Sequence, residues 1–537
     1  MPESKKQNFL KGAAILTAAS VSARLIGALF RIPIISILGT AGAGMFTTTY
    51  QVYTLILTIA TAGVPVALSR MISSANAAGK TGLVKRYFAV ALPAFSLLGI
   101  IMMLVMFAFP DALARLIGNS YAAPGVRVLA PAIFFAGIVA VYRGYAQGFE
   151  NMVPTAVTQV SEAFCRTAFG IAIAMLLIRR GLDTQYASAG AVTGVIIGLA
   201  LSIPILIYYK RKIDRSLPTV VENSAKGEKG VLRKIFAVSI PITAGASFMA
   251  LVTIIVTRVV MGRLQAGLGL TEYDANAHLG HHTMGLALFN LPQALIAPVA
   301  VSIIPAIATA LTNKRRGTAE TIMRSSLKLS NLVAMPAAAG LMALSRPIII
   351  ALYNDPSDTP TTILTILGAA SFFVCFQLVT TAILQASGHE RITMITFPIG
   401  GAIQIALNYV LVGNPNIGIV GSSVGVLACF VVICALNVVF IVRRVKDRPN
   451  FGAVMLKPLL CAAVMALAAY SAYGLLYRLG YGTLGGGRGA VIIYLAVSIM
   501  VAAAVYVVLI IVTRTITRED MKLIPNGEKL ANFLKIK

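Results

Sequence analysis

Runs of about 20 apolar residues recur from Lys11 to Thr513, and each is long enough to cross a ~30 Å hydrocarbon core as a helix. No long window between them reads as a soluble domain. In lipid the backbone must satisfy its own hydrogen bonds, so a chain built this way folds as a bundle of membrane helices. Only 12% of its residues are charged, against about 25% in an ordinary soluble domain. The expected fold is all-α integral membrane, with about fourteen spans near 11–38, 46–73, 86–109, 125–148, 154–178, 187–209, 235–262, 278–311, 326–351, 361–386, 392–412, 419–442, 456–477 and 489–513. The first run carries Arg24 and Arg31, lacks a small-residue cleavage site and leads straight into the next, so it is expected to stay rather than be removed.

A net charge of +27 raises the question of nucleic acid, and the placement of that charge answers it. Of 45 lysines and arginines, 32 fall in one set of alternate loops, 7 in the other and 6 within spans. Every lysine lies in the first set. By the positive-inside rule that set is cytoplasmic, which puts both termini inside. The excess charge reports topology, with some attraction to anionic lipid; no nucleic-acid partner is expected.

The loop 210–234 is polar and basic and divides the first six spans from the rest. The two sides echo each other. Pro65-Val66-Ala67-Leu68-Ser69 returns as Pro298-Val299-Ala300-Val301-Ser302, each followed by a basic loop, at Lys80 and at Lys314. Gln147-Gly148, Pro154 and Gln159 return as Gln385, Gly388, Pro398 and Gln404. Six spans per half make the repeat parallel, and such halves rock about a central site. The expected organisation is an N-lobe (1–209), the basic cytoplasmic linker (210–234), a C-lobe (235–442), two additional helices (443–513) and a cytoplasmic tail (514–537).

Charges inside the spans carry the functional signal, because each costs about 2.5–3.5 kcal/mol at a helix centre. They are Arg24, Arg31, Arg70, Arg166, Arg258 and Arg346, against one acid, Glu162. Glu162 and Arg166 are four apart, the spacing at which helix neighbours pair, so a self-neutralised couple is one reading of them. Arg70, Arg258 and Arg346 lie near span ends, where snorkelling to the interface is the plain explanation. Arg24 is near the middle of its helix and must face a wet cavity or an anion. Arg31 shares its face two turns on. Arginine's planar fork matches phosphate or carboxylate oxygens. Ser20, Ser22, Thr48, Thr49, Tyr50, Gln51 and Tyr53 add hydroxyl and amide groups suited to a sugar, although hydroxyls also bond their own helix. Gln147, Gln159, Glu162, Arg166 and Arg258 complete the candidate cavity.

Other classes fare worse. A cation-coupled multidrug exporter needs buried carboxylates, and only Glu162 is available. An integral-membrane glycosyltransferase would need an acidic catalytic loop. No Walker sequence and no nucleophile-and-base constellation is present, so neither ATP chemistry nor an enzyme is expected. His278, His281 and His282 stand at helical spacing with no acid or cysteine beside them in sequence, and read as interfacial histidines rather than a metal site. The five cysteines lack paired spacing and read as small buried hydrophobes.

Particular runs carry a family resemblance. Ser22-Ala23-Arg24-Leu25-Ile26-Gly27, Arg31-Ile32-Pro33, Gly39 and Gly44 resemble the start of the polysaccharide and lipid II flippases of the MOP exporter superfamily. Tyr50, Tyr53-Thr54-Leu55, Gly63-Val64-Pro65-Val66-Ala67-Leu68-Ser69, Arg143-Gly144-Tyr145-Ala146-Gln147-Gly148, Asn151-Met152 and Pro154-Thr155-Ala156-Val157-Thr158-Gln159 continue it. The pattern most resembles the branch holding Gram-positive lipid II flippases (MurJ-type) and the stage V sporulation B proteins. The resemblance implies two six-helix lobes around a cationic cavity, two further helices grooved for a lipid tail, and alternating access that moves an undecaprenyl-pyrophosphate-linked sugar outward across a bacterial plasma membrane. Arg24 falls on the family's first-helix arginine. The family's other arginines do not transfer, and Arg31 and Arg70 are expected to stand in. Its sodium site needs acids in the second lobe, where the spans have none, which argues against sodium coupling. No cofactor is expected; the membrane potential is the expected driving force. The expected partners are the lipid-linked sugar, membrane lipids and the cell-wall synthesis machinery.

Overall fold

A computed structural model of the chain describes residues 3–217, 230–445, 451–485, 487–513 and 515. Residues 218–229 of the linker expected over 210–234, and the tail expected over 514–537 apart from Thr515, lie outside the described residues. Among the described residues there is no strand, and the helices run in order: α1 (Glu3–Thr61), α2 (Val64–Ala77), α3 (Thr81–Ala108), α4 (Pro110–Ile117), α5 (Ala123–Gly148), α6 (Val153–Arg179), α7 (Thr184–Ala191), α8 (Thr193–Ser216), α9 (Val231–Leu268), α10 (Glu272–Thr312), α11 (Arg316–Ala343), α12 (Ser345–Tyr353), α13 (Asp358–Ala386), α14 (Glu390–Val412), α15 (Val420–Arg444), α16 (Phe451–Leu484) and α17 (Arg488–Val512).

Twelve helical stretches among the described residues are long and apolar enough to cross a membrane, or thirteen if Gly317–Ala343 and Ser345–Tyr353, bent by 78°, form one broken span. Fourteen is reached only by dividing Ala18–Ala77, a stretch of 60 residues. At ~1.5 Å per residue it holds about 90 Å of helix, three times the hydrocarbon thickness, divided by a kink at Gly39. The external loop expected at 39–46 is not a loop. Helix continues on both sides of Gly39, which alone breaks the run with φ 70°. That left-handed region is open to glycine without the Cβ penalty, and no atom lies within 4 Å of where a Cβ would stand. Backbone, not space, requires the glycine there.

The chain divides into two compact units, 1–280 and 281–537. In the first, α6 packs on α1, α7 and α8, while α5 packs on α2, α3 and α8. Leu68, Ile72, Phe88, Phe95, Val141 and Tyr145 form its apolar core, with the Phe88 and Tyr145 rings edge to face at 5.1 Å. At one end of this unit Asn119 and Asn276, both fully buried, exchange amide hydrogen bonds of 2.6 and 3.0 Å, and Asn119 Nδ2 also donates to Thr48 Oγ1 at 3.0 Å. Buried amides are costly unless paired, and these pair with each other.

In the second unit α13 packs on α11 and α15, α14 on α15, and α16 on α11 and α17. Arg488 closes the end of α12: its Nε donates to Ala351 O at 3.1 Å and its Nη2 to Leu352 O at 3.0 Å. Tyr506 donates to Leu332 O at 2.9 Å, tying α17 to α11. All five cysteines are buried and free. The histidines are not without an acid, as their sequence neighbourhood had implied. The turn after α12 brings Asp355 Oδ2 to 3.3 Å from His281 Nε2.

The two sequence echoes share local geometry. Ser69 Oγ donates to Val66 O and Ser302 Oγ to Val299 O, the same bond three residues back. Three residues after Gln147 and after Gln385 the chain turns left-handed, at Glu150 and at Gly388. The following amides, Asn151 and His389, then bond back to Ala146 and Leu384.

Candidate functional site

The site is organised by α6. Its start is fixed by Asn151, whose Oδ1 accepts from the Val153 amide at 3.2 Å. The short turn before it folds α6 back along α5, so residues equidistant from the turn meet. Gln147 Nε2 donates to Thr155 Oγ1 at 3.2 Å. One and two turns further in, Arg143 donates from Nε and Nη2 to Thr158 Oγ1 at 3.1 and 2.9 Å, and from Nη2 to Glu162 Oε1 at 2.7 Å.

Thr155, Thr158, Gln159, Glu162 and Arg166 follow one another three or four residues apart, which lines them up along one face of the helix. That face is bound from three sides. Arg143 and Gln147 of α5 hold one flank. Ser202 of α8, fully buried, donates to Glu162 Oε1 at 3.1 Å. From α1, Ser20 Oγ donates to Gln159 Oε1 at 3.0 Å, and the Tyr50 hydroxyl accepts from Arg166 Nη1 at 3.0 Å. Glycines make the approach of α8 close enough. A Cβ on Gly194 would stand 2.6 Å from Arg166 O, and one on Gly198 would stand 3.0 Å from Glu162 Cα. Small residues at four-residue spacing are the usual way two membrane helices bring their backbones together.

The couple expected between Glu162 and Arg166 does not form. Glu162 pairs with Arg143 instead, and Arg166 turns to α1, where its Nη2 lies 2.5 Å from the place a Cβ on Gly27 would occupy. The i,i+4 contact is worth only about 0.2–0.5 kcal/mol on a helix surface. A partner on another helix, backed by Thr158 and Ser202, offers more bonds to each charge. Arg143 lies within the expected span 125–148 but was counted with the cytoplasmic charges at its end, and so was absent from the candidate residues; α5 carries it more than a turn before Gly148. The signal that could have found it was the hairpin turn, which sets 143 opposite 158 and 162.

Arg24 is exposed and makes no hydrogen bond or ion pair among the described residues. It sits between Ser20 and Gly27 at spacings of four and three, on the face of α1 that those two residues press against α6. Arg31, one face-repeat further, is half-buried and engaged. Ser22 is exposed. Tyr53 is buried and stacks obliquely on Tyr50 at 5.7 Å. Gln51 Oε1 is buried without a hydrogen-bond partner. Two of the predicted cationic residues make no contact with this face: Arg70 is exposed midway along α2, and Arg258 is exposed on α9, its Nη1 resting on the backbone of Gly118. The structure therefore brings Ser20, Tyr50, Gln147, Gln159, Glu162 and Arg166 together with Arg143, and leaves Arg70 and Arg258 outside.

An arginine-rich polar face with one carboxylate, itself paired with Arg143 and set among membrane helices, suits an anion. Sequence comparison agrees on the class. The pattern of the polysaccharide biosynthesis protein family matches residues 9–311, more than half the chain.

The chain belongs to that family.

A second pattern of the same MOP superfamily, MatE, matches residues 269–410. Over nearly their whole lengths the chain is 26% identical to the uncharacterised membrane protein YabM of Bacillus subtilis (99% of this chain, 97% of that one) and 24% identical to the stage V sporulation protein B of the same organism (97% and 98%). It is 24% identical to the lipid II flippase MurJ of B. subtilis over 75% of this chain and 77% of that protein. A solved structure of a lipid II flippase MurJ, in an inward closed conformation, shares the fold: TM-score 0.66, 14% identity, 92% of this chain and 98% of the other. This member of the family is thus a multi-pass membrane transporter of the MOP superfamily, not an enzyme.

Proposed function

We propose that this chain flips an undecaprenyl-pyrophosphate-linked sugar, lipid II being the first candidate, from the inner to the outer leaflet by alternating access. The observation that carries this is the charge on the facing surfaces of α1 and α6. The acid nearest to hand, Glu162, is already bound to Arg143, so the guanidiniums of Arg24 and Arg166 have no carboxylate among the described residues. A phosphate diester supplies the missing negative charge, and arginine presents its donors in the geometry phosphate oxygens accept. Tyr50, Gln147, Gln159 and the serines of α1 supply hydroxyl and amide partners for a sugar. The same pairing of Glu162 disfavours a cation-coupled drug exporter, which needs a carboxylate free to bind its cation.

The membrane potential drives the cycle in this reading. An inside-negative potential contributes about 2.3 kcal/mol per charge per 100 mV. It favours outward passage of the anion and inward return of the empty, arginine-lined site. Transport that persists after complete collapse of the potential would sink this part. Cytoplasmic termini, a parallel repeat of six spans and contact with the cell-wall synthesis machinery belong to the same proposal.

Depletion of the protein in its host, with outer-leaflet lipid II read by accessibility to an external lipid II-cleaving toxin, tests the substrate. External lipid II falls, and wild type restores it. If it is unchanged in a host with no redundant flippase, the cargo is another polyprenyl-linked glycan. Full-length alignment with the stage V sporulation protein, against three quarters with MurJ, favours a second reading in which the flippase serves sporulation. Depletion in growing cells and in sporulating cells separates the two.

A further inference from the structure

The bond pattern around Arg143 contains an unused edge. Thr158 gives its own proton to the carbonyls behind it, Pro154 O at 2.9 Å and Thr155 O at 3.2 Å. Its oxygen is therefore a fixed acceptor, and it holds Arg143 by the Nε–Nη2 edge of the guanidinium. Glu162 takes Nη2 with a single oxygen, Oε1. Its Oε2 makes no hydrogen bond among the described residues, and neither does Arg143 Nη1. The ion pair is thus one-toothed, although arginine and carboxylate form their strongest pairs through two parallel bonds. Neither side chain is fully covered by protein: 16% and 23% of their surfaces remain open. Ser202 Oγ divides its one proton between Gly198 O at 2.9 Å and Glu162 Oε1 at 3.1 Å, so the carboxylate keeps a shared donor when the guanidinium leaves.

We propose that Glu162 is a resident competitor for the substrate: it occupies Arg143 while the site is empty and yields the Nη1–Nη2 edge to a phosphate of the lipid-linked cargo. The inference rests on the flippase reading and adds Arg143 to its anion-binding residues. In the empty site Arg143, Glu162 and Arg166 sum to one positive charge, which limits the cost of three ionisable groups within the membrane. A pyrophosphate that displaces Glu162 gains a two-toothed contact on Arg143 without a change in the number of protein charges. Glu162 thereby sets affinity, keeping it low enough for release.

The test uses the full chain in nanodiscs and undecaprenyl pyrophosphate, the part shared by every candidate cargo, with undecaprenol as the tail-only control. Affinities are measured for wild type, Glu162→Gln, Glu162→Asp, Arg143→Gln and the double variant Arg143→Gln/Glu162→Gln. The expected result is binding three- to tenfold tighter for Glu162→Gln and smaller tightening for Glu162→Asp, which withdraws the carboxylate by one methylene. Arg143→Gln binds at least tenfold more weakly. The double variant matches Arg143→Gln, because without the guanidinium there is nothing to compete for. Unchanged or weaker binding in both Glu162 variants, with wild type still preferring the pyrophosphate over undecaprenol, overturns the competition and leaves the flippase reading standing. If wild type shows no such preference, both fall together.

Discussion

Both units thread polar side chains through apolar helices, but the charged cluster on α5 and α6 of the first contrasts with α14 and α15 of the second. The α6 face sets two arginines and a glutamate among hydroxyls and amides. In the second unit residues 392–442 contain no charged side chain. Amides and hydroxyls buried in this unit bind one another: Asn437 Nδ2 to Thr380 and Thr381 Oγ1 at 3.2 and 3.1 Å, and Gln377 Nε2 to Thr381 Oγ1 at 2.9 Å. Asn408, fully buried on α14, packs against Gly425 of α15 with its amide unbonded among the described residues. Neutral interhelical hydrogen bonds of this kind average ~0.6 kcal/mol and serve as glue. Charges cost several times more to place in lipid, and in the proposed function the charged face of the first unit is where the ligand binds.

The contrast breaks most visibly at Arg24. Losing a charge-assisted contact of about 1.5–3 kcal/mol lowers outward flipping about tenfold to a hundredfold in Arg24→Ala, read as external lipid II in depleted cells; near wild-type flipping would remove Arg24 from the site. Next comes the scaffold of the charged face. Gly194→Leu forces side-chain atoms onto Arg166 O, and overpacking of this kind costs about 1–3 kcal/mol. A lowered Tm of the purified protein is expected, and an unchanged one would mean that α8 does not hold the α6 face in place. On the neutral side, Asn437→Val removes two hydrogen bonds and lowers stability by about 1 kcal/mol at ~0.6 per bond, with flipping at the wild-type rate. A tenfold loss of flipping there would place substrate chemistry in the second unit and end the contrast. The smallest effect belongs to Arg346→Gln. Its pair with Asp358, 3.6 Å apart and 62% and 86% exposed, is of the surface type worth about 0–1 kcal/mol, so a thermal melt should barely move.

Much of this was legible in the sequence because membrane helices are written in runs. Long apolar stretches fixed the all-helical class, and Ser-Ala-Arg-Leu-Ile-Gly at 22–27 pointed to the superfamily. Local spacing also set Arg24 and Arg31 on one face of α1. What spacing could not supply was the partner of Glu162. Rules for a single helix see Arg166 four residues away, whereas the bond that forms comes from Arg143, nineteen residues back across a hairpin. The Asn119–Asn276 pair spans 157 residues and left no local trace. Gly39 was misread as part of a loop because a left-handed residue inside a continuous helix has the same composition as a turn.

That residue gives the first helix an unusual mechanical property. With open space where a Cβ would sit, Gly39→Ala leaves every neighbour untouched and penalises only the bent geometry. Positive φ with ψ −179°, a region essentially reserved for glycine, costs an alanine about 1–3 kcal/mol, which shifts the ratio of bent to straight molecules about five- to 150-fold. Spin labels on either side of Gly39 would report that ratio as two distances. A single methyl group thus acts as a tuning screw on the resting posture of a 59-residue helix, set without touching the cargo's contacts at all.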